Sequence, residues 1–136
     1  MTSRVRTSVV VIHIDKLLTF RAVDPVSGQQ YNFLPGGKIE SHETAPEAAV
    51  RETREETGYQ IQIQESSCVD KEYIFRWAGE DYDCLTLFYR GQLKNSLQAV
   101  VDDAPYNKGV EWIPLENVKT VFNYSAEVLS AVEALL

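Results

Sequence analysis

Hydrophobic and polar positions change rhythm several times along the chain. Thr7 to Ile14 are mostly β-branched and apolar, which predicts a first strand. Leu17 to Ala22 predicts its hairpin partner across Asp15-Lys16. Asp24 to Gly28 reads as a turn, and the short strand "QYNFL" is expected to end at Pro35-Gly36-Gly37. The rhythm then becomes helical from Ala45 to Thr57. Thr44 is the expected N-cap, Glu47 completes a capping box, Pro46 sits in the first turn, and Gly58 fits the residue after the last turn. Ala45, Ala48, Ala49 and Thr53 form a small-residue face suited to close packing on a sheet.

Alternation returns in Gln60 to Gln64, in Glu72 to Trp77 and in "CLTLFYRGQL", with "AGEDYD" as a polar turn between the last two. Asp102 to Gly109 reads as a loop and "VEWIP" as a short strand. Ala126 to Leu136 carries Val128, Leu129, Val132, Leu135 and Leu136 at helical spacing. Strands on both sides of an early helix, with a helix at the end, predict an α/β fold in which a mixed sheet lies between helices.

Composition narrows this picture. The 136 residues are 44% hydrophobic and 24% charged, with no repeat or linker, so one globular domain spanning residues 1–136 is expected. A net charge of −7 argues against nucleic acid or an anionic membrane as partner. It leaves small anionic ligands open, because a bound cation inverts the local field. Cys68 and Cys84 are far apart with no metal-binding spacing, and the N-terminal apolar run is too short for a signal or a membrane span. These features predict a cytoplasmic protein, monomeric or homodimeric.

The densest chemistry lies in "GGKIESHETAPEAAVRETREETGY", which holds six glutamates. Glu52 shares a helix face with Glu55 and Glu56, an arrangement that destabilises a helix by about 0.2–0.5 kcal/mol per like-charged pair. One reading is a solvated face. The other is a site for a hard divalent cation, since clustered carboxylates and an accessible glycine carbonyl are the ligands such an ion takes.

The segment resembles the box of the Nudix family, G-x5-E-x7-R-E-U-x-E-E-x-G-U. Gly37, Glu43, Arg51-Glu52, Glu55-Glu56 and Gly58 stand at the required spacing over 23 residues, Gly37 to Tyr59. Thr53 and Tyr59 replace the usual aliphatic residues, and His42 stands where a glycine commonly precedes the glutamate. The resemblance implies the Nudix fold and hydrolysis of a nucleoside diphosphate linked to another group. It implies Mg²⁺ or Mn²⁺ held by Glu52, Glu55, Glu56 and the Gly37 (or Gly36) carbonyl. It also implies that Arg51 and Glu43 steady the loop and helix. Glu55 is the favoured general base, with Glu52 and Arg51 completing the catalytic group. Further acids outside the box are Glu80, Asp81, Asp83, Asp102, Asp103 and Glu111.

Marks of several subfamilies are absent, including the NADH-type run and a proline between Gly58 and Pro105. The remainder is similar to the mutator-type group, which implies a nucleoside triphosphate, unmodified or oxidised, as substrate. The expected substrate contacts are Asn123, Phe122 and Lys38, with Phe75, Trp77 and Phe88 as possible walls of a base pocket. Asn123 or Ser125 equally suits a helix cap. Nucleotide sugars or dinucleotides such as ADP-ribose are the alternative substrates, and a non-catalytic nucleotide-binding module is a third reading. His13 and His42 lack the ligand spacing of a zinc site.

Overall fold

The computed structural model describes all residues, 1–136. Its elements are β1 (Thr2–His13), β2 (Lys16–Val23), β3 (Gln30–Phe33), β4 (Gly36–Lys38), α1 (Ala45–Thr57), β5 (Tyr59–Trp77), β6 (Glu80–Gln98), β7 (Asn107–Pro114), α2 (Val118–Val121) and α3 (Ala126–Ala134). The strands form one mixed sheet along the path β3-β2-β1-β6-β5, with β4 added to β1 and β7 to β2. β1 and β6 run parallel and the other pairs antiparallel.

The period-two geometry of a strand sends neighbours to opposite faces, and β1 shows the consequence. Val9 and Val11 pack with Leu18, Ala49 and Ile61 under α1. Val10 packs with Leu17, Phe88, Phe122, Val128 and Val132 under α2 and α3. The sheet is therefore covered on both faces, an α/β arrangement. Full burial of side chains such as Phe122 and Val132 contributes about 1.5–3 kcal/mol each. No helix is long and apolar enough to cross a membrane.

The sheet extends further than periodicity predicts. β5 runs unbroken from Tyr59 to Trp77, where two separate strands are expected, because a register shift between Gln64 and Val69 absorbs the polar stretch between them. β6 reaches from Glu80 to Gln98, so only Ala78 and Gly79 remain as turn, both with positive φ. Gly36 to Lys38 forms β4 instead of merely ending β3. Its partners Arg6, Thr7 and Ser8 on β1 make a strand of residues with little intrinsic strand preference.

Helix α1 starts and ends where its cap residues place it. Thr44 accepts the Glu47 N–H, the Glu47 carboxylate accepts the Thr44 N–H, and Gly58 is left-handed at φ 79°. A Cβ at Gly58 would also strike the Ala99 carbonyl oxygen, so both conformation and contact require glycine. The small-residue face is buried at Ala48, Ala49 and Thr53. At the other end of the chain, Ser125 caps α3 through its hydroxyl, which accepts the Val128 N–H.

Candidate active site

The C-terminal half of α1 lies against β4, and this contact assembles the charged part of the site. Arg51 is its hub. Its guanidinium makes two bonds to Glu43, Nη2 to Oε1 at 2.6 Å and Nε to Oε2 at 3.1 Å. It also donates to the Lys38 carbonyl at 3.1 Å, to Glu52 at 3.1 Å and to Glu55 at 3.3 Å. One cation thus ties the loop before the helix, the strand β4 and two carboxylates together. The bond to Arg51 holds the Glu43 carboxyl down at about 2, and Glu43 in turn raises Arg51. Glu47 is engaged by the helix cap, not by Arg51.

The three acidic residues differ in environment. Glu55 is half exposed, Glu52 largely enclosed and Glu56 only 5% exposed. Glu56 accepts the Gly36 N–H at 2.8 Å, yet burial pushes its carboxyl well above the usual range. Glu52 is also raised, by burial first, with Arg51 opposing and Glu55 adding to the shift. No cation of the chain forms an ion pair with Glu56. The Gly36-Gly37 backbone closes on this group. A Cβ at Gly37 would stand 2.7 Å from the Glu52 carboxylate, so only a glycine lets the strand approach it.

This donor set fits Mg²⁺ or Mn²⁺. It is all hard oxygen, it is short of positive charge, and a bare backbone runs beside it. As they stand, Glu52 and Glu55 converge on Arg51 and no three acidic side chains meet at one point.

Beside Glu56 and Gly36 opens a cavity of about 130 Å³. Cavities near 150 Å³ hold one small aromatic ring, so this one suits a ring rather than a whole nucleotide. Its walls include Phe33, Phe75, Trp77, Tyr106 and Tyr124. Trp77 meets Tyr106 at 5.3 Å and Phe33 at 5.4 Å between ring centroids. Burial raises Tyr106 to about 12, with Glu56 and Asp103 adding to it. Arg4, Arg6 and Ser8 form the side built by β1.

The remaining residues singled out from the sequence are dispersed. Phe75, Trp77 and Phe88 line the cavity. Phe122 is wholly enclosed in the core, 6.0 Å behind the Tyr124 ring, so it backs the wall without forming it. Asn123 is exposed, and Tyr124 beside it is the residue that faces the cavity. Lys38 is exposed on β4 next to Gly37. Among the outer acids, Asp103 comes nearest: it accepts from Asn107, whose amide also donates to the Glu56 carbonyl. Glu80 and Asp81 pair with Tyr82 and Arg76 at the hairpin tip, and Glu111 accepts from Asn32. Arg4, Arg6 and Tyr106 were not among the expected contacts. The alternation of Arg4, Arg6 and Ser8 ahead of the apolar run is the one local signal that points to the two arginines.

A family model described as NUDIX domain matches residues 2–132. Among solved structures, a NUDIX hydrolase from Nitrosomonas europaea is 21% identical, with a TM-score of 0.74 over 98% of this chain and 88% of that one. A MutT protein from Methanosarcina mazei Go1 is 18% identical, with a TM-score of 0.69 over 98% and 93%. A C. elegans Ap4A hydrolase is 18% identical, with a TM-score of 0.68 over 98% and 94%. At such identities the likeness concerns the fold. None of the curated proteins matches the chain.

Proposed function

The chain belongs to the Nudix family of hydrolases, which act on nucleoside diphosphate derivatives, and on that premise we propose that it converts a nucleoside triphosphate, unmodified or oxidised, to monophosphate and pyrophosphate. The observation that carries this reading is the placement of Glu52, Glu55 and Glu56 against Gly36-Gly37, next to a cavity that suits one ring.

A diphosphate brings negative charge to a site that already repels it. Divalent cations, held by Glu52, Glu55, Glu56 and the Gly37 carbonyl, would neutralise that charge, polarise the phosphoryl oxygens and acidify water. The half-exposed Glu55 accepts the proton of the attacking water. The water oxygen bonds to phosphorus, the anhydride bond breaks, and pyrophosphate leaves with the electron pair. Arg51 and Glu43 position the carboxylates. Lys38 meets the outer phosphates, Asn123 contacts the base beside Tyr124, and Phe122 supports the Tyr124 ring from behind. Cys68 and Cys84 form no disulfide, which suits a cytoplasmic protein, and a monomer or homodimer is the proposed state.

The test is a panel of nucleoside triphosphates, nucleotide sugars and dinucleoside polyphosphates with Mg²⁺ and with Mn²⁺, read by product identity. Pyrophosphate release on a triphosphate is the expected result. Two mononucleotide-level products from a sugar or dinucleotide substrate would replace it, and Ap4A belongs in the panel because the C. elegans neighbour is an Ap4A hydrolase. Nucleotide retained intact with metal present would leave only a binding role.

A further inference from the structure

Two acidic residues of this chain are buried outright, Glu56 and Asp24. Glu56 belongs to the site described above. Asp24, in the turn between β2 and β3, is 4% exposed and takes part in no ion pair. A buried carboxylate without a cation needs hydrogen-bond donors, and Asp24 has three backbone N–H groups. Its Oδ1 accepts from Val26 at 2.8 Å and from Ser27 at 3.2 Å, which folds the turn on itself. Its Oδ2 accepts from Ala78 at 3.0 Å, 54 residues along the chain at the tip of the β5–β6 hairpin. Burial raises the carboxyl, but these donors and the Ser27 hydroxyl outweigh it and leave it below the usual range, so it is charged at neutral pH.

The long-range bond falls where the sheet is open. β1 and β2 pair only beside their turn, Ile12 with Leu17 and His13 with Lys16. From there β2, with β3 and β7, parts from β1, with β6 and β5, and the aromatic cavity fills the wedge between them. Asp24 bridges the far end of this wedge. Beside it, Val23 donates its N–H to the Tyr106 carbonyl at 3.1 Å. Ala78 directly follows Trp77. Val23-Asp24 thus grips the backbone at two wall residues, Tyr106 and Trp77, whose rings meet edge to face at 5.3 Å. Ala78 is left-handed at φ 52°, a conformation alanine disfavours, so local preference alone does not set the hairpin tip.

We propose that Asp24 is a positioning residue for substrate: through the Ala78 N–H it closes the open end of the sheet and holds Trp77 against Tyr106, which fixes the width of the slot that receives a ring. Asp24 itself touches neither substrate nor metal. The inference rests on the nucleotide-hydrolase reading above and deepens it. Ring selection is set in part by a carboxylate outside the box, in a turn that lines no part of the cavity.

Asparagine separates this role from that of a mere turn residue. Asp24→Asn keeps one oxygen for the Val26 and Ser27 N–H groups but sets an amide NH₂ opposite the Ala78 N–H. Asp24→Ala loses both sets of bonds. In a Trp112→Phe background, where Trp77 is the single tryptophan, both variants should shift Trp77 emission to the red and open it to acrylamide quenching. With Trp112 restored, both should raise KM severalfold and leave kcat within about twofold, on whichever substrate the panel shows to be cleaved. Native emission, quenching and KM in Asp24→Asn overturn the proposal, since the carboxylate then serves the turn alone; a loss confined to kcat overturns it as well. If the variants do not fold, amide exchange in the unaltered protein decides. The Ala78 N–H should exchange at least about tenfold more slowly than in an unfolded chain, and an unprotected Ala78 overturns the proposal. Absence of pyrophosphate release from every triphosphate sinks the proposed function and leaves the Trp77 readings to decide this inference. Pyrophosphate release with a native KM in Asp24→Asn does the reverse.

Discussion

The carboxylate end of α1 and the aromatic cavity share Glu56 and Gly36, yet they are built in opposite ways. The first comes from one stretch, Gly36 to Glu56, in which a capped helix folds back on the strand just before it. The second takes residues from Arg4 to Val128, on β1, β2, β3, β5, β6, the loop before β7, and α3. Charge dominates one and flat apolar surface the other. Reaction chemistry can therefore be carried by a compact local motif, whereas substrate choice depends on how distant elements meet.

The largest expected effect separates charge from fold at the shared residue. Glu56→Gln keeps the acceptor for the Gly36 N–H and removes a buried charge that no ion pair offsets. Turnover should fall by roughly 10²–10³-fold, while the metal-free melting temperature rises. A variant with full activity would remove Glu56 from the site. Gly37→Ala comes next. Its Cβ would press on the Glu52 carboxylate, so activity should drop at least about tenfold with only ~1–3 kcal/mol lost in denaturant unfolding. A variant of unchanged activity would show that Gly37 need not approach Glu52.

On the cavity side, Trp77→Leu should raise KM severalfold and leave kcat nearly unchanged, because uniform binding is lost without touching the carboxylates. A change in kcat alone would place Trp77 in the chemistry instead. The smallest effect concerns acid stability. Glu43 is held at about 2, below its ordinary 4.5, by Arg51. A depressed carboxyl stabilises the fold above its unfolded pKa, so this contribution is complete above about 4.5 and fades as pH falls towards 2. Unfolding curves of the natural protein and of Glu43→Gln should therefore converge near pH 2 and separate as pH rises to 4.5. A constant gap over that range would show that the ion pair is not its source.

Legibility follows the same division. Helix α1 could be read residue by residue from Thr44 to Gly58, since caps, small-residue face and acidic cluster are local features. The long β5 and β6 were not legible. The polar middle of β5 and the polar ends of β6 are held by the pairing of the two strands, which no alternation in the sequence records. At the end of the chain, the run Phe122-Asn123-Tyr124 was readable as aromatic and polar. Which side chain meets the cavity was not, because the short turn before α3 sends Phe122 into the core and Tyr124 to the wall.

By itself the sequence determined the fold class, the capped helix and the spacing of Gly37, Glu43, Arg51, Glu52, Glu55 and Glu56. The helix and the box spacing depend on interactions within a few turns of one another, which spacing encodes. Only the tertiary structure decided that Glu56 is buried while Glu55 is half exposed, and that Arg4 and Arg6 share a wall with rings from four other strands and two loops. Burial and counter-charge are properties of surroundings, and those surroundings arise only when β1, β6 and α3 pack together.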